Sequence, residues 1–95
     1  MSSKRRTKIE IIYDMLKAIQ DKGGSIKPTH LLYKSNLSHN KMQEYIDNLQ
    51  MKAMIIEKDD GKGSKRYHIT DKGLKYIAEF RQIKQFSEAF GISQF

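Results

Sequence analysis

The chain carries a single proline, Pro28, four residues behind the Gly23-Gly24 pair. Glycine takes the left-handed backbone that closes a helix at no steric cost, and proline is tolerated in a helix only at its first turn. One helix must therefore end near residue 22 and another open at residue 28. A second break, Asp59-Asp60-Gly61-Lys62-Gly63-Ser64, is made of turn residues and separates two short β-prone runs. With 95 residues, too few for more than one core, the chain has to be assembled from short helices and a hairpin.

The remaining elements follow from caps and periodicity. Thr7-Lys8-Ile9-Glu10 reads as a capping box in which the Thr7 hydroxyl and the Glu10 carboxylate each accept the other residue's amide. Behind it Ile12, Leu16 and Ile19 recur at helical spacing, widened by Ile9, Tyr13 and Met15, which predicts a helix over about 8–22. Ser25-Ile26-Lys27 is long enough for a strand stub only. Pro28 opens a short helix that carries Leu31 and Leu32 and stops at Asn36, a turn residue. Ser38 then caps a third helix to about residue 52, with Leu37 closing onto Met42 as a hydrophobic staple. Its buried face is Met42, Tyr45, Ile46 and Leu49. Strands are expected over 54–58 and 65–70, the latter putting Tyr67 and Ile69 on one side and Arg66 and His68 on the other. Thr70 caps a last, long helix over 71–90.

Composition narrows the function classes. Mean hydropathy is −0.70, and no apolar run approaches the roughly 20 residues of a membrane span, so no membrane partner is expected. The start Met1-Ser2-Ser3-Lys4-Arg5-Arg6 is basic without an apolar stretch behind it, so no secretory signal is expected and the expected setting is cytoplasmic. Cysteine is absent, which excludes disulfides, thiolate metal sites and cysteine nucleophiles. His30, His39 and His68 fall on three elements with no carboxylate at ligand spacing. No metal, cofactor, catalytic residue or small-molecule ligand is expected, and the chain does not read as an enzyme. Eighteen Lys and Arg against 11 Asp and Glu give a net charge of +7, an excess that favours polyanions.

Helix, stub strand, short helix, turn, helix, hairpin, helix is the order of a winged helix-turn-helix, an α+β and mostly helical fold. The helix-turn-helix occupies 28–51 and the wing 54–70. Three segments carry a closer resemblance: Asn36-Leu37-Ser38, Tyr45-Ile46-Asp47-Asn48-Leu49 and Tyr67-His68-Ile69-Thr70-Asp71-Lys72-Gly73. The last looks like the Tyr-x-Ile-Thr-x-Lys-Gly that closes a wing and opens a final helix. The chain resembles, over about residues 8–90, the small archaeal winged-helix DNA-binding proteins that dimerise through a long C-terminal helix. That resemblance implies a basic arm at 1–7, a core at 8–70 and a dimerisation helix with tail at 71–95. It also implies a double-stranded DNA partner, as a transcription regulator or nucleoid-associated protein.

The residues expected to meet DNA follow from which faces are free. In a helix-turn-helix the second helix leads into the major groove with its first residues, here His39, Asn40, Lys41, Gln43 and Glu44. Asn and Gln can pair with adenine and Lys with guanine or phosphate, although the same residues equally suit a solvated helix face. The charges of this helix sum to zero, and Asp47 faces outward, so the positive field has to come from elsewhere. The arm offers Lys4, Arg5, Arg6 and Lys8, and Lys27 and Lys34 flank the motif. Lys58, Lys62, Lys65 and Arg66 less Asp59 and Asp60 leave an excess of two on the wing, with Ser64 at its tip. Arm and wing are expected to track phosphates or the minor groove.

On the last helix Leu74, Ile77 and Ala78 form one face, and Tyr76, Phe80, Ile83 and Phe90 the opposite one, with Ser87 among them and Phe86 beside them. The second face reads as a homodimer seam, because its spacing alternates four and three. The competing arrangement folds the helix back so that both faces pack on the first helix. Two other functions stay open: a protein-interaction module, favoured by the neutral third helix, and RNA binding, disfavoured by the lack of an aromatic platform on a sheet.

Overall fold

The computed structural model describes residues 6–92. Its elements are α1 (Lys8–Asp21), β1 (Ser25–Ile26), α2 (Pro28–Ser35), α3 (His39–Met51), β2 (Ile55–Asp59), β3 (Lys65–Ile69) and α4 (Asp71–Ala89). This is the expected α+β, mostly helical winged helix-turn-helix with a long last helix. Every boundary falls within one residue of its expected place.

Local chemistry explains each boundary. The Thr7–Glu10 capping box is complete, with Thr7 N donating to Glu10 Oε1 at 2.8 Å and Glu10 N to Thr7 Oγ1 at 3.2 Å. Helix α1 closes when Gly23 N bonds to Gln20 O and Gly24 N to Ile19 O, a Schellman pair that needs the positive φ of Gly23. The same closure ends α3 through Ala53 N to Gln50 O and Met54 N to Leu49 O. There the left-handed residue is Ala53, at φ 59°. Asn36, at φ 56°, makes the turn between α2 and α3.

The three strands form one antiparallel sheet in the order β1-β3-β2. Ser25 faces His68 and Ile26 faces Tyr67 on one side of β3, and Ile55 faces Ile69 through to Asp59 opposite Lys65 on the other. A single core joins Ile12, Met15, Leu16 and Ile19 of α1 to Leu31, Met42, Ile46, Leu49, Ile26, Ile55, Tyr67 and Ile77. Burial of that apolar stripe is what fixes α3 against the body and leaves its other side in solvent.

The wing returns to the body at one crossing. Thr70 Oγ1 donates to Ala53 O at 2.7 Å and accepts from Gly73 N at 3.2 Å, while Thr70 N bonds to Met54 O. A β-carbon on Gly73 would stand 2.5 Å from Met54 O and 2.7 Å from Ile69 Cγ1. Only glycine lets α4 start this close to the foot of the hairpin.

Candidate nucleic-acid interface

Helix α3 presents its first turn to solvent. Ser38 Oγ accepts from Lys41 N at 3.1 Å, and with Met42, Ile46 and Leu49 buried, His39, Asn40, Lys41, Gln43 and Glu44 all lie exposed. The acidic residues on this face are engaged. Gln43 Nε2 donates to Asp47 Oδ1 at 3.0 Å, and Lys41 Nζ stands 3.6 Å from Glu44 Oε1. Asp47 is thus answered by an amide, and its carboxylate is held along the helix.

The turn ahead of α3 is clamped from outside the motif. The Arg6 guanidinium donates from Nη1 to Asp14 Oδ2 and from Nη2 to Ser35 O, both at 2.8 Å. A cation on the last carbonyls of α2 also suits the negative end of that helix. Arg6, grouped with the arm by its sequence position, is here tied to α1 and α2; Lys4 and Arg5 lie outside the described residues. Lys27 precedes α2 and Lys34 is in its last turn, both exposed. The sequence reading passed over Tyr33, which stands 82% exposed on α2. The signal was available: Leu31 and Ser35 face the core, which turns Tyr33 outward.

The wing is built by its acids and presented by its lysines. Asp59 Oδ1 accepts from Gly61 N, and Asp60 Oδ1 from Lys62 N and Ser64 N, so both carboxylates shape the tip. The Lys62 amide foremost, with the Ser64 amide and the charge of Lys27, holds the Asp60 carboxyl below its ordinary range. Lys62 and Ser64 are left exposed. Lys65 is partly committed, 3.5 Å from Glu57 Oε1 and 5.8 Å above the centre of the Tyr67 ring. Glu57 also accepts from Gln50 Nε2 at 3.4 Å, joining the end of α3 to the wing.

Arg66 and Glu57 refine the picture of the wing. Arg66 is half-buried and bonds from Nε to Ser25 Oγ at 3.1 Å and from Nη2 to Ser25 O at 3.3 Å. Its guanidinium therefore also holds β1 to β3. Glu57 is a third acid on the wing beside Asp59 and Asp60, so the expected excess of two positive charges is corrected to one.

The C-terminal helix departs further from expectation. Phe80 is buried against Tyr13, with ring centres 4.3 Å apart and planes 19° from parallel. Tyr76 is half-buried and its hydroxyl donates to Ile9 O at 2.8 Å. Tyr76 and Phe80 therefore face the chain's own α1, together with Ile77, while Leu74 and Ala78 are exposed. The division into opposite faces is corrected, because α1 docks along the aromatic stripe. Farther out the stripe stays uncovered: Ile83 is 53% exposed, Phe86 59% and Phe90 68%. Phe86 and Phe90 lean together with centres 4.8 Å apart. Among them Ser87 is buried, and its Oγ has no hydrogen-bond partner among the described residues. The helix ends in a further Schellman pair, Ile92 N to Ser87 O and Gly91 N to Glu88 O.

His30, on α2, is kept below its usual range by burial and by the charges of Lys22 and Lys34. Among the described residues no group of acids and histidines is arranged to hold a metal, and no helix is long and apolar enough to cross a membrane.

The comparisons agree on the frame. The profile of a family described as winged helix-turn-helix matches residues 5–88. Among solved structures, Sso10a-2, a DNA-binding protein from Sulfolobus solfataricus, is similar at a TM-score of 0.77 and 22% identity, over 90% of this chain and 85% of that one. F93 from STIV, a winged-helix DNA-binding protein, is similar at 0.72 and 19% identity, over 95% of this chain and 100% of that one. A transcriptional regulator of the MarR family from Silicibacter pomeroyi is similar at 0.66 and 15% identity, over 82% of this chain and 53% of that one. No curated protein matches the sequence. At such identities the likeness speaks to the fold.

Proposed function

Because the chain belongs to the winged helix-turn-helix family, we propose that it binds double-stranded DNA as a homodimer, as a cytoplasmic, nucleoid-associated protein or a transcription regulator. The observation that carries this reading is the exposed first turn of α3, with His39 and Asn40 in solvent, together with a wing whose tip presents Lys62 and Ser64. Helix α3 reads the major groove, led by His39, Asn40, Lys41, Gln43 and Glu44. Lys62, Ser64 and Lys65 meet phosphates or the minor groove, Lys27 and Lys34 flank the motif, and Lys4 and Arg5 reach the backbone from the arm. Arg6 contributes by holding the turn before α3. Two of the similar structures bear names that describe DNA-binding proteins, which supports the reading.

The partner copy meets the outer part of α4. Ile83, Phe86 and Phe90 form an apolar surface too aromatic for open solvent. Tyr76 and Phe80 support this seam from beneath, through α1.

A second reading has a specific observation behind it. With Lys41 beside Glu44 and Gln43 on Asp47, α3 offers almost no net field, as a protein-docking winged helix would. Anisotropy of a random 30-base-pair duplex, titrated at several salt concentrations, separates the two. Micromolar or tighter binding with a log–log salt slope steeper than about −3 reports several phosphate contacts and supports DNA binding. Absence of binding even at low salt hands the function to protein docking.

A further inference from the structure

A cleft of about 230 Å³ lies where the start of α1 meets the flank of α3, lined by Lys8, Lys41, Glu44, Tyr45 and Asn48. Four of these side chains can donate hydrogen bonds: two ammonium groups, a phenol and an amide. Tyr45 and Asn48 are half-buried. The one carboxylate, Glu44, stands 3.6 Å from Lys41 Nζ. So many donors around one acceptor make a site for an anion.

The helix geometry says where that anion sits. At 100° per residue, Lys41, Tyr45 and Asn48 share one flank of α3. Gln50, which bonds to Glu57 of the wing, points about half a turn away. Asn40, Glu44 and Asp47 form the ridge between. A helix about 10–12 Å across fills a major groove about 12 Å wide, and that groove is bordered by a phosphate strand on each side. The wing lies on the Gln50 side of the helix, and the cleft lies on the flank that faces the other border.

We propose that the Lys8–Lys41–Tyr45–Asn48 cleft takes a backbone phosphate of the strand bordering the major groove on the α1 side, opposite the strand met by the wing. This rests on the DNA-binding reading above and adds a contact that it does not require. Lys8 supplies charge from a different helix, so α3 is gripped between two strands and its rotation about its own axis is fixed. Glu44 at the lip weakens the grip by holding Lys41.

The test uses the full chain and the random duplex, with Lys75→Ala on α4 as the control. Lys8→Ala is expected to weaken binding about threefold to tenfold and to make the log–log salt slope shallower by about 0.9, the loss of one phosphate contact. Glu44→Gln is expected to move both quantities the other way. A Lys8→Ala variant indistinguishable from Lys75→Ala overturns the cleft while leaving DNA binding intact. Failure of the unaltered protein to bind at all overturns both. A second arm titrates inorganic phosphate at constant ionic strength, followed by NMR at the Asn48 side-chain amide. No saturation below the millimolar range is expected. Micromolar saturation would make a free anion the ligand and overturn the assignment to the DNA backbone.

Discussion

Ala53 closes α3 with φ 59°, a conformation that costs a non-glycine residue roughly 1–2 kcal/mol. Ala53→Gly is therefore expected to stabilise the fold by about 1 kcal/mol, read as a rise in Tm, since the new residue adopts that backbone freely. The sequence gives no sign of this strain, because alanine at a helix end looks ordinary until its φ is known. Gly73 is the reverse case. It was legible as part of a motif, yet its reason, a β-carbon 2.5 Å from Met54 O, lies in the crossing of chain segments nearly 20 residues apart. Gly73→Ala should gain helix propensity and still lose about 2–3 kcal/mol to overpacking, measured by chemical denaturation. Asp60 supplies a pH dependence. Its pKa is depressed in the folded state, so its contribution is complete above the ordinary carboxylate value of 3.8 and is lost as pH falls through the lower folded value. Acid titration followed by NMR should show the Lys62 and Ser64 amides shifting together below that value. A midpoint above it would contradict the tip geometry.

Helices and strands were legible because their signals are local. Capping boxes, a staple, a proline at a first turn and glycines at helix ends act within a few residues of themselves. What the sequence hid was which partner each surface chooses. Periodicity showed two apolar faces on α4 but could not say that α1 would dock on the aromatic one through Tyr13 and Phe80. Arg66 and Arg6 read as free cations for the same reason, since their partners Ser25 and Ser35 are distant in sequence. These corrections divide α4 into an anchored half and a free half, and mutations should respect the division. Phe80→Ala is expected to cost about 3–5 kcal/mol of stability, as loss of a buried ring does. Phe86→Glu with Phe90→Glu should leave a cooperatively folded core, with a Tm that no longer depends on protein concentration, and convert a dimer to a monomer by light scattering. A double variant that remains dimeric would remove this surface from the assembly.

The described structure is elongated, with extents of 49 × 30 × 22 Å and a Cα radius of gyration of 14.2 Å. A compact chain of this length would have about 12 Å. An elongated body with its exposed aromatics at one end suits end-to-end pairing, which would double the number of phosphates met by one particle. On that basis the Phe86→Glu, Phe90→Glu variant should bind a long duplex with about half the salt slope of the parent, because each particle then releases half the counterions. The crossing at Gly73 acquires a mechanical meaning in such a pair. The wing's return strand, the Thr70 cap and the base of α4 are bonded to one another there, and Tyr76 and Phe80 hold the next turns of α4 to α1, so hairpin, α1 and the first half of α4 form one stiff body. Beyond Phe80 the arm to Phe90 is roughly 15 Å long at 1.5 Å per residue, and a bend of about 5° at its base moves its tip by only about 1 Å. In a pair joined at the tips, that stiffness would fix the span between the two hairpins, leaving little freedom to adjust it.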